Sequence, residues 1–516
     1  MVKKIVITIL LIVALLTSTF TAYTLKAENK VVAEVIFSRS ITDRDIALIQ
    51  SLGGTIIYRF NEINGVAVFI SQDKIDDLEK IKGIKKVGIA AKVEVLDEEL
   101  PSNCSLHGTV LTWNLDIINV PTVHEEYGLD GSGVYVAVLD TGLEPQWRDY
   151  FPEDRIDSEH AAAFLGAMAT AYSVTEDVHN RNAWEADTHG HGMHVTSTII
   201  GFKVYDFYTV DGVAPGVTII PVKVISNAGW GFTTDVAAGI IYIANLYLEE
   251  VESGGKVLKP EDQINPIVIN LSLGSRSPSP LVRAAIGYAI ESGVFVVAAA
   301  GNEGREGMVY PAAYPEVISV GAIGWTGEWE PITVEDDEVT FNRTWWRLSD
   351  VPEREELEGQ VYITDFSSWE NKAIDPEQDL DVLAPGSWVV GPYTPYGAAH
   401  PPYWANGVPG QYYFLGGTSM ATPHVSGIIA LLLQKCIENG ELNLMQEDVE
   451  AILEKSTYKI TWYSATVFDP IEETYVTLEW EDAALGNGLV QADLVIQYII
   501  NCEGIGQAPN NCKNNK

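Results

Sequence analysis

Residues 416–427 read GGTSMATPHVSG, and the run VSGIIALLLQ that carries them onward is apolar on nearly every face. A helix of that composition belongs inside a large domain, and its opening turn carries Ser419. Gly416 and Gly417 let another backbone come close, and Pro423 is tolerated only near a helix start, because deeper in it would remove a hydrogen bond. A hydroxyl set between small residues on a rigid helix is how a nucleophile is presented. Two further segments supply what such a serine needs. VYVAVLDTG, residues 134–142, predicts a buried parallel strand ending in Asp140, whose carboxylate then faces the crevice at the strand's carboxyl end. DTHGHGMHVTSTIIG, residues 187–201, sets His191 at the glycine-flanked entrance to another apolar helix. The chain order is Asp140, His191, Ser419.

That order is the one found in subtilisin, and the orders of chymotrypsin and the α/β-hydrolases differ from it. With VAVLDTG, HGMHVTST and GTSMATPHVSG in sequence, the chain resembles the subtilisin-like serine proteases, or subtilases. The family usually has His-Gly-Thr-His-Val-Ala-Gly at the second motif, so Met193, Thr196 and Ser197 depart from it beside His191 rather than at the imidazole. VINLSLGS, residues 268–275, resembles the family's substrate-binding strand, and VVAAAGNEG, residues 296–304, resembles the loop carrying its oxyanion asparagine, here Asn302. GNGLVQADLVI is similar to the closing segment, so the match runs from about Thr112 to Ile500.

The resemblance implies an α/β fold, a three-layer domain with a mainly parallel central sheet. It also implies acyl transfer to Ser419 and then to water, with His191 moving the proton and Asp140 fixing its tautomer. Asn302 and the Ser419 backbone N–H would stabilise the oxyanion. Ser272, Leu273 and Gly274 would pair with substrate as an added strand, while Gly229, Trp230 and Gly231 line the opposite side. Val309 stands where the family usually has glycine at the floor of the primary specificity pocket, which implies a shallower pocket. No cofactor is required for this chemistry. Structural calcium is a family trait, yet GFKVYDFYTVDGVAPG, residues 201–216, does not reproduce the asparagine-rich calcium loop of shorter relatives. The metal ligands therefore stay unknown.

Other readings compete for the same residues. A lone Asp-Thr-Gly marks an aspartic protease, but that chemistry needs two carboxylates and no second such triplet occurs. His189, His191 and His194 fit a metal cluster, which would make the chain a metal-dependent hydrolase. A non-catalytic binding protein on the same fold is the third reading. His194 and His424 read as helix-entry histidines satisfied by local hydrogen bonds, and Asn270 as a structural amide inside an apolar strand.

The rest of the chain reads as a secreted precursor. Residues 1–27 join two lysines, an apolar run and small residues near Ala27, the pattern of a signal peptide. Residues 28–100 hold a small α+β unit of β-α-β-β-α-β order, the ferredoxin-like arrangement. In a subtilase this position resembles the inhibitory propeptide, a folding aid and inhibitor that is removed by a cut expected between Leu96 and Thr112. Residues 101–500 form the catalytic domain and residues 501–516 a tail. The first 100 residues balance 13 basic against 13 acidic side chains, so the whole net charge of −39 falls on residues 101–516. Such a surface repels nucleic acid and anionic membranes, while protein or peptide substrates are what the family resemblance implies. Cysteines at 104, 436, 502 and 512 suit an oxidising, extracellular location. Of three possible pairings, Cys502 with Cys512 and Cys104 with Cys436 is favoured over free buried thiols.

Overall fold

The computed structural model describes residues 30–95, 113–172, 181–204, 208–259, 262–328, 331–333, 340–342, 351–393, 412–440, 443–469 and 474–504. The expected signal peptide, the expected maturation cut, Cys104 and Cys512 lie outside the described residues.

Residues 30–95 build one small sheet with helices across it. The order is β1 (Lys30–Phe37), α1 (Asp43–Ser51), β2 (Thr55–Phe60), β3 (Gly65–Ser71), α2 (Ile75–Glu79), β4 (Ile84–Ile89) and β5 (Lys92–Val95). The first four strands pair antiparallel in the order β2-β3-β1-β4, the ferredoxin-like topology that the sequence predicts. Thr42 opens α1 with a capping box in which its hydroxyl and the Asp45 carboxylate satisfy each other's backbone N–H. Val35, Val66, Val68, Ile49 and Leu78 close the core of this unit.

The larger unit follows from residue 113. Its principal elements are β6 (Tyr135–Asp140), β7 (Ala162–Ala163), α3 (His191–Ile200), β8 (Thr218–Lys223), β9 (Trp230–Phe232), α4 (Thr233–Ser253), β10 (Ile267–Leu271), β11 (Leu273–Gly274) and α5 (Pro280–Ser292). Then come β12 (Phe295–Ala299), β13 (Ile318–Trp325), β14 (Val361–Ile363), β15 (Val382–Pro385), α6 (Thr418–Glu438), β16 (Thr457–Tyr458) and β17 (Leu489–Val490). The central sheet runs β16-β17-β15-β13-β12-β10-β6-β8-β7, with β14 beside β13. From β7 to β17 the neighbours are parallel, and only β14 and β16 run the other way. Every residue of β6, β10 and β12 is buried, as parallel strands covered on both faces must be.

Helices complete the three layers. Helix α6 packs against α3 and against β6, β10, β12, β13 and β15, while α4 and α5 pack against each other. Among the described residues, α6 is the one helix long and apolar enough to cross a membrane, and 89% of its apolar window is buried inside the domain. It is a core helix.

The small unit rests on the starts of α4 and α5. Glu34 of β1 is fully buried there, and its carboxylate accepts from the Thr233 hydroxyl, from the Ser279 hydroxyl at 2.8 Å and from the Leu281 N–H at 3.4 Å. Helix N-termini carry partial positive charge, which offsets part of the cost of burying this acid.

Because α6 is sealed on all sides, it tolerates no cavity. In a Ser419→Ala background, Ile428→Ala is expected to lower unfolding free energy by about 2–5 kcal/mol, read as a reduced urea midpoint at unchanged slope.

Candidate active site

Asp140 closes β6, and the chain must turn at once to leave the sheet. Gly142 makes that turn at φ +94°. Helix α3 then begins hard against it: a Cβ on Gly192 would lie 2.3 Å from the Gly142 carbonyl, so glycine alone lets helix and strand end meet. This close approach delivers the imidazole. His191 Nδ1 lies 2.8 Å from Asp140 Oδ1 and 2.9 Å from Oδ2, with both side chains fully buried. Asp140 Oδ1 also accepts from the Thr141 N–H at 2.6 Å.

A second carboxylate, not singled out by the sequence reading, shapes the turn before α3. Asp187 accepts from the backbone N–H of His189 at 2.8 Å and of Gly190 at 3.0 Å, and from the Thr141 hydroxyl at 2.8 Å. The Thr141 hydroxyl in turn accepts from the Gly192 N–H at 2.9 Å. Burial pushes the Asp187 carboxyl up, and Lys223 opposes that shift. The signal was present in Asp-Thr-His-Gly-His, where an acid precedes a glycine turn, but its partners come from β6.

Ser419 is the second residue of α6 and is buried. Its hydroxyl donates to the Ser272 carbonyl at 2.9 Å, and the Ser272 hydroxyl donates back to the Ser419 carbonyl at 2.8 Å. Asn270 supports this lock, donating to Ser272 Oγ at 3.0 Å and accepting from Ser426 at 2.9 Å, which makes it the structural amide read from the sequence. Asn302 sits beside the same turn. Its Oδ1 accepts from both the N–H and the hydroxyl of Thr418, each at 3.0 Å, which fixes which end of the amide is nitrogen. Its Nδ2 is buried and has no hydrogen-bond acceptor among the described residues. A buried donor without a partner is costly, and it marks a place where an incoming oxygen would be welcomed.

The groove beside Ser419 is occupied by the chain itself. Strand β5 lies between β9 and β11 in a three-stranded antiparallel sheet. Leu273 and Gly274 pair with it on one edge, Trp230 and Gly231 on the other, and the Gly229 carbonyl accepts from the Val95 N–H at 3.2 Å. Beyond Gly274 opens a recess of about 320 Å³ lined by Gly274, Ser275, Arg276, Glu303 and Val309. Val309 is buried and fills the space under Gly301, whose added Cβ would stand 2.9 Å from either Val309 methyl.

The three histidines of the metal reading do not converge. His191 turns to Asp140, and His194 donates to the distant Val389 carbonyl at 3.0 Å. His189 faces Tyr393, whose hydroxyl lies 3.3 Å from Nδ1. His194 thus bonds across the fold through Nε2 and not locally as expected. His424 does bond locally, to the Met420 carbonyl at 2.8 Å, and receives Asn114 at 2.9 Å; burial lowers its pKa to about 4. Among the described residues, the one group with three ligand atoms in mutual reach is Asp381, Glu450 and Glu454, within 4.8 Å of one another. In the segment that departs from the calcium loop of shorter relatives, Phe202–Val204 pairs antiparallel with Tyr208–Val210. Cys502 is disulfide-bonded and Cys436 is buried, but the proposed partners of both are outside the described residues.

A model of the subtilase family matches residues 131–488, which span the strand of Asp140, the helix of His191 and the helix of Ser419. The chain belongs to the subtilase family. As a subtilase it is a serine endopeptidase, and it needs no cofactor for catalysis. It is 28% identical to M-protease of Shouchella clausii over 412 residues, 79% of this chain and 80% of that one. It is 30% identical to subtilisin Savinase of Lederbergia lenta over 63% of this chain and 84% of that one, and 26% identical to subtilisin E of Bacillus subtilis over 87% and 85%. Fervidolysin of Fervidobacterium pennivorans, a keratinolytic enzyme related to subtilisin, shares the fold with a TM-score of 0.61 at 22% identity. That likeness covers 91% of this chain and 61% of fervidolysin's length.

In this subtilase the turn before α3 depends on Asp187. Asp187→Ala strips the acceptor from three buried donors and is expected to cost about 1–3 kcal/mol in a Ser419→Ala background, measured by urea denaturation, with Asp187→Asn retaining part of the loss.

Proposed function

We propose that the chain is a secreted endopeptidase made as a self-processing zymogen, in which Asp140, His191, Ser419 and Asn302 carry acyl transfer. The single observation that supports this most is strand β5, the chain's own residues 92–95, lying as an added strand beside Ser419. A groove that holds one extended peptide through backbone ladders will hold others of different sequence.

The steps are those of a Ser-His-Asp hydrolase. Asp140 holds the His191 Nδ1–H, so Nε2 is the basic nitrogen that takes the Ser419 proton as Oγ attacks the scissile carbonyl. The tetrahedral oxygen gains charge and is met by the Asn302 Nδ2 donor and the Ser419 N–H. His191 then gives its proton to the leaving amine, and a water repeats the sequence to free the acid. Ser272, Leu273 and Gly274 form one wall of the substrate ladder and Gly229, Trp230 and Gly231 the other. Val309 makes the primary pocket shallow, which favours modest side chains over large aromatic ones. Structural calcium, implied by family resemblance, has no part in these steps. Residues 28–100 act as folding aid and inhibitor, and residues 1–27 direct secretion.

The test is casein hydrolysis. Ser419→Ala is expected to abolish it, a loss of about 10⁶-fold carried over from subtilisin. Asn302→Ala is expected to lower kcat by about 10²- to 10³-fold with KM little changed, again on the subtilisin precedent. A chelator leaves the initial rate intact while a serine-acylating reagent removes it. Hydrolysis that survives Ser419→Ala contradicts the proposal.

Docking of the small unit carries a pH dependence. Burial raises the Glu34 carboxyl above its ordinary value, with its hydroxyl and N–H partners and Lys86 opposing the shift. A group raised in the docked state favours docking at low pH and weakens it as pH climbs through the raised value. Release of the cleaved segment, followed by gel filtration, is expected to quicken from pH 5 to pH 8, and Glu34→Gln to flatten that profile.

A further inference from the structure

Strand β5 shows how the groove treats side chains as well as backbone. Glu94 stands opposite Trp230, Val93 opposite Gly231 and Lys92 opposite Phe232. Side chains alternate along a strand, so Val93 points one way and Lys92 and Glu94 the other. Val93 is 2% exposed, in a recess shared with Leu273, Val236 and Val282, and a slip by one residue would turn it out to solvent. The inward pocket therefore fixes the register. The outward face carries the charges, and Lys92 and Glu94 are both exposed.

On that outward face one wall is aromatic. The Lys92 ammonium lies over the Trp230 ring, 5.2 Å from its centroid. Trp230 is the diagonal neighbour of Lys92 across the ladder, within reach of a long side chain. Phe232, two residues along β9, meets Trp230 with centroids 6.0 Å apart and rings at 72°, an edge contact that steadies the indole. An indole face attracts a cation through its quadrupole and gives an uncharged side chain no such gain. Glu94 also reaches the ammonium, at 2.5 Å, but Glu94 belongs to the visiting strand and Trp230 to the enzyme.

From this geometry we propose that Trp230 determines specificity: it gives this subtilase a subsite for lysine or arginine at the substrate position that Lys92 fills. Backbone bonds to β9 and β11 place each side chain of an added strand on a set rung, so the cation is read at one position. The net charge of −39 on residues 101–516 draws basic peptides as a whole and singles out no position. The subsite rests on the reading of this groove as the one that receives substrate.

The test is digestion by the processed wild-type protein of a proteome-derived peptide library cut at glutamate, which keeps lysine and arginine inside the peptides. Cut sites are read by mass spectrometry. Lysine and arginine are expected to be enriched about two- to fivefold at one position, the size of an exposed cation–π contact. That position lies four or more residues before the cut, because Val93, Glu94 and Val95 follow Lys92 in the ladder. Acetylating the library's lysines removes their charge and is expected to erase the lysine enrichment, while dimethylation keeps both. Trp230→Ala is expected to flatten the profile for both residues, and Trp230→Phe to retain part of it. Enrichment that is absent from the wild type, spread over every upstream position, kept after acetylation or kept in Trp230→Ala overturns the subsite and leaves proteolysis standing. A wild-type chain that cuts no peptide overturns the reading of the groove, and the subsite falls with it.

Discussion

A carboxylate gripping one nitrogen of an imidazole, both sealed from water, is the constraint on which the rest of this structure depends. Burying an ionised acid costs several kcal/mol unless hydrogen bonds compensate it. Asp140 meets that cost with the Thr141 N–H and the His191 ring. The strand end, the glycine turn, the Gly192 approach and the Asp187 brace all serve to bring that ring to that acid. Once it is fixed, Nδ1 of His191 is committed to the acid.

The serine side is organised by a different device. Ser419 and Ser272 exchange hydrogen bonds through each other's hydroxyl and carbonyl, so the helix start and the groove wall move as one body. The same wall carries the ladder that receives an extended peptide. Ser419 and the ladder register are therefore coupled, and a backbone shift at Ser272 would be felt by both. Thr418, one residue earlier, holds the Asn302 amide by its oxygen, and its nitrogen has no acceptor among the described residues.

What the sequence made legible was whatever is written in contiguous residues. Asp140, His191, Asn302 and Ser419 each stand in a run of small and apolar residues with a turn beside it. The small unit's topology likewise followed from alternating strands and a capped helix. What stayed hidden depends on contacts between distant segments. Asp187 reads as an ordinary polar turn residue until Thr141 is placed beside it. Glu34 looks like a surface acid within VVAEVIF, and is buried only because two helix starts come to meet it. His194 was expected to bond nearby and instead reaches Val389. The suspicion of a metal cluster came from spacing alone, and spacing cannot tell that three rings point to three different partners.

The most direct measurement is covalent labelling of the mature protein with a fluorophosphonate, with the modified residue mapped by mass spectrometry. The account predicts one adduct, on Ser419 Oγ, and its loss when His191 is replaced by alanine. A label on another residue, or labelling of Ser419 undiminished without His191, would contradict it.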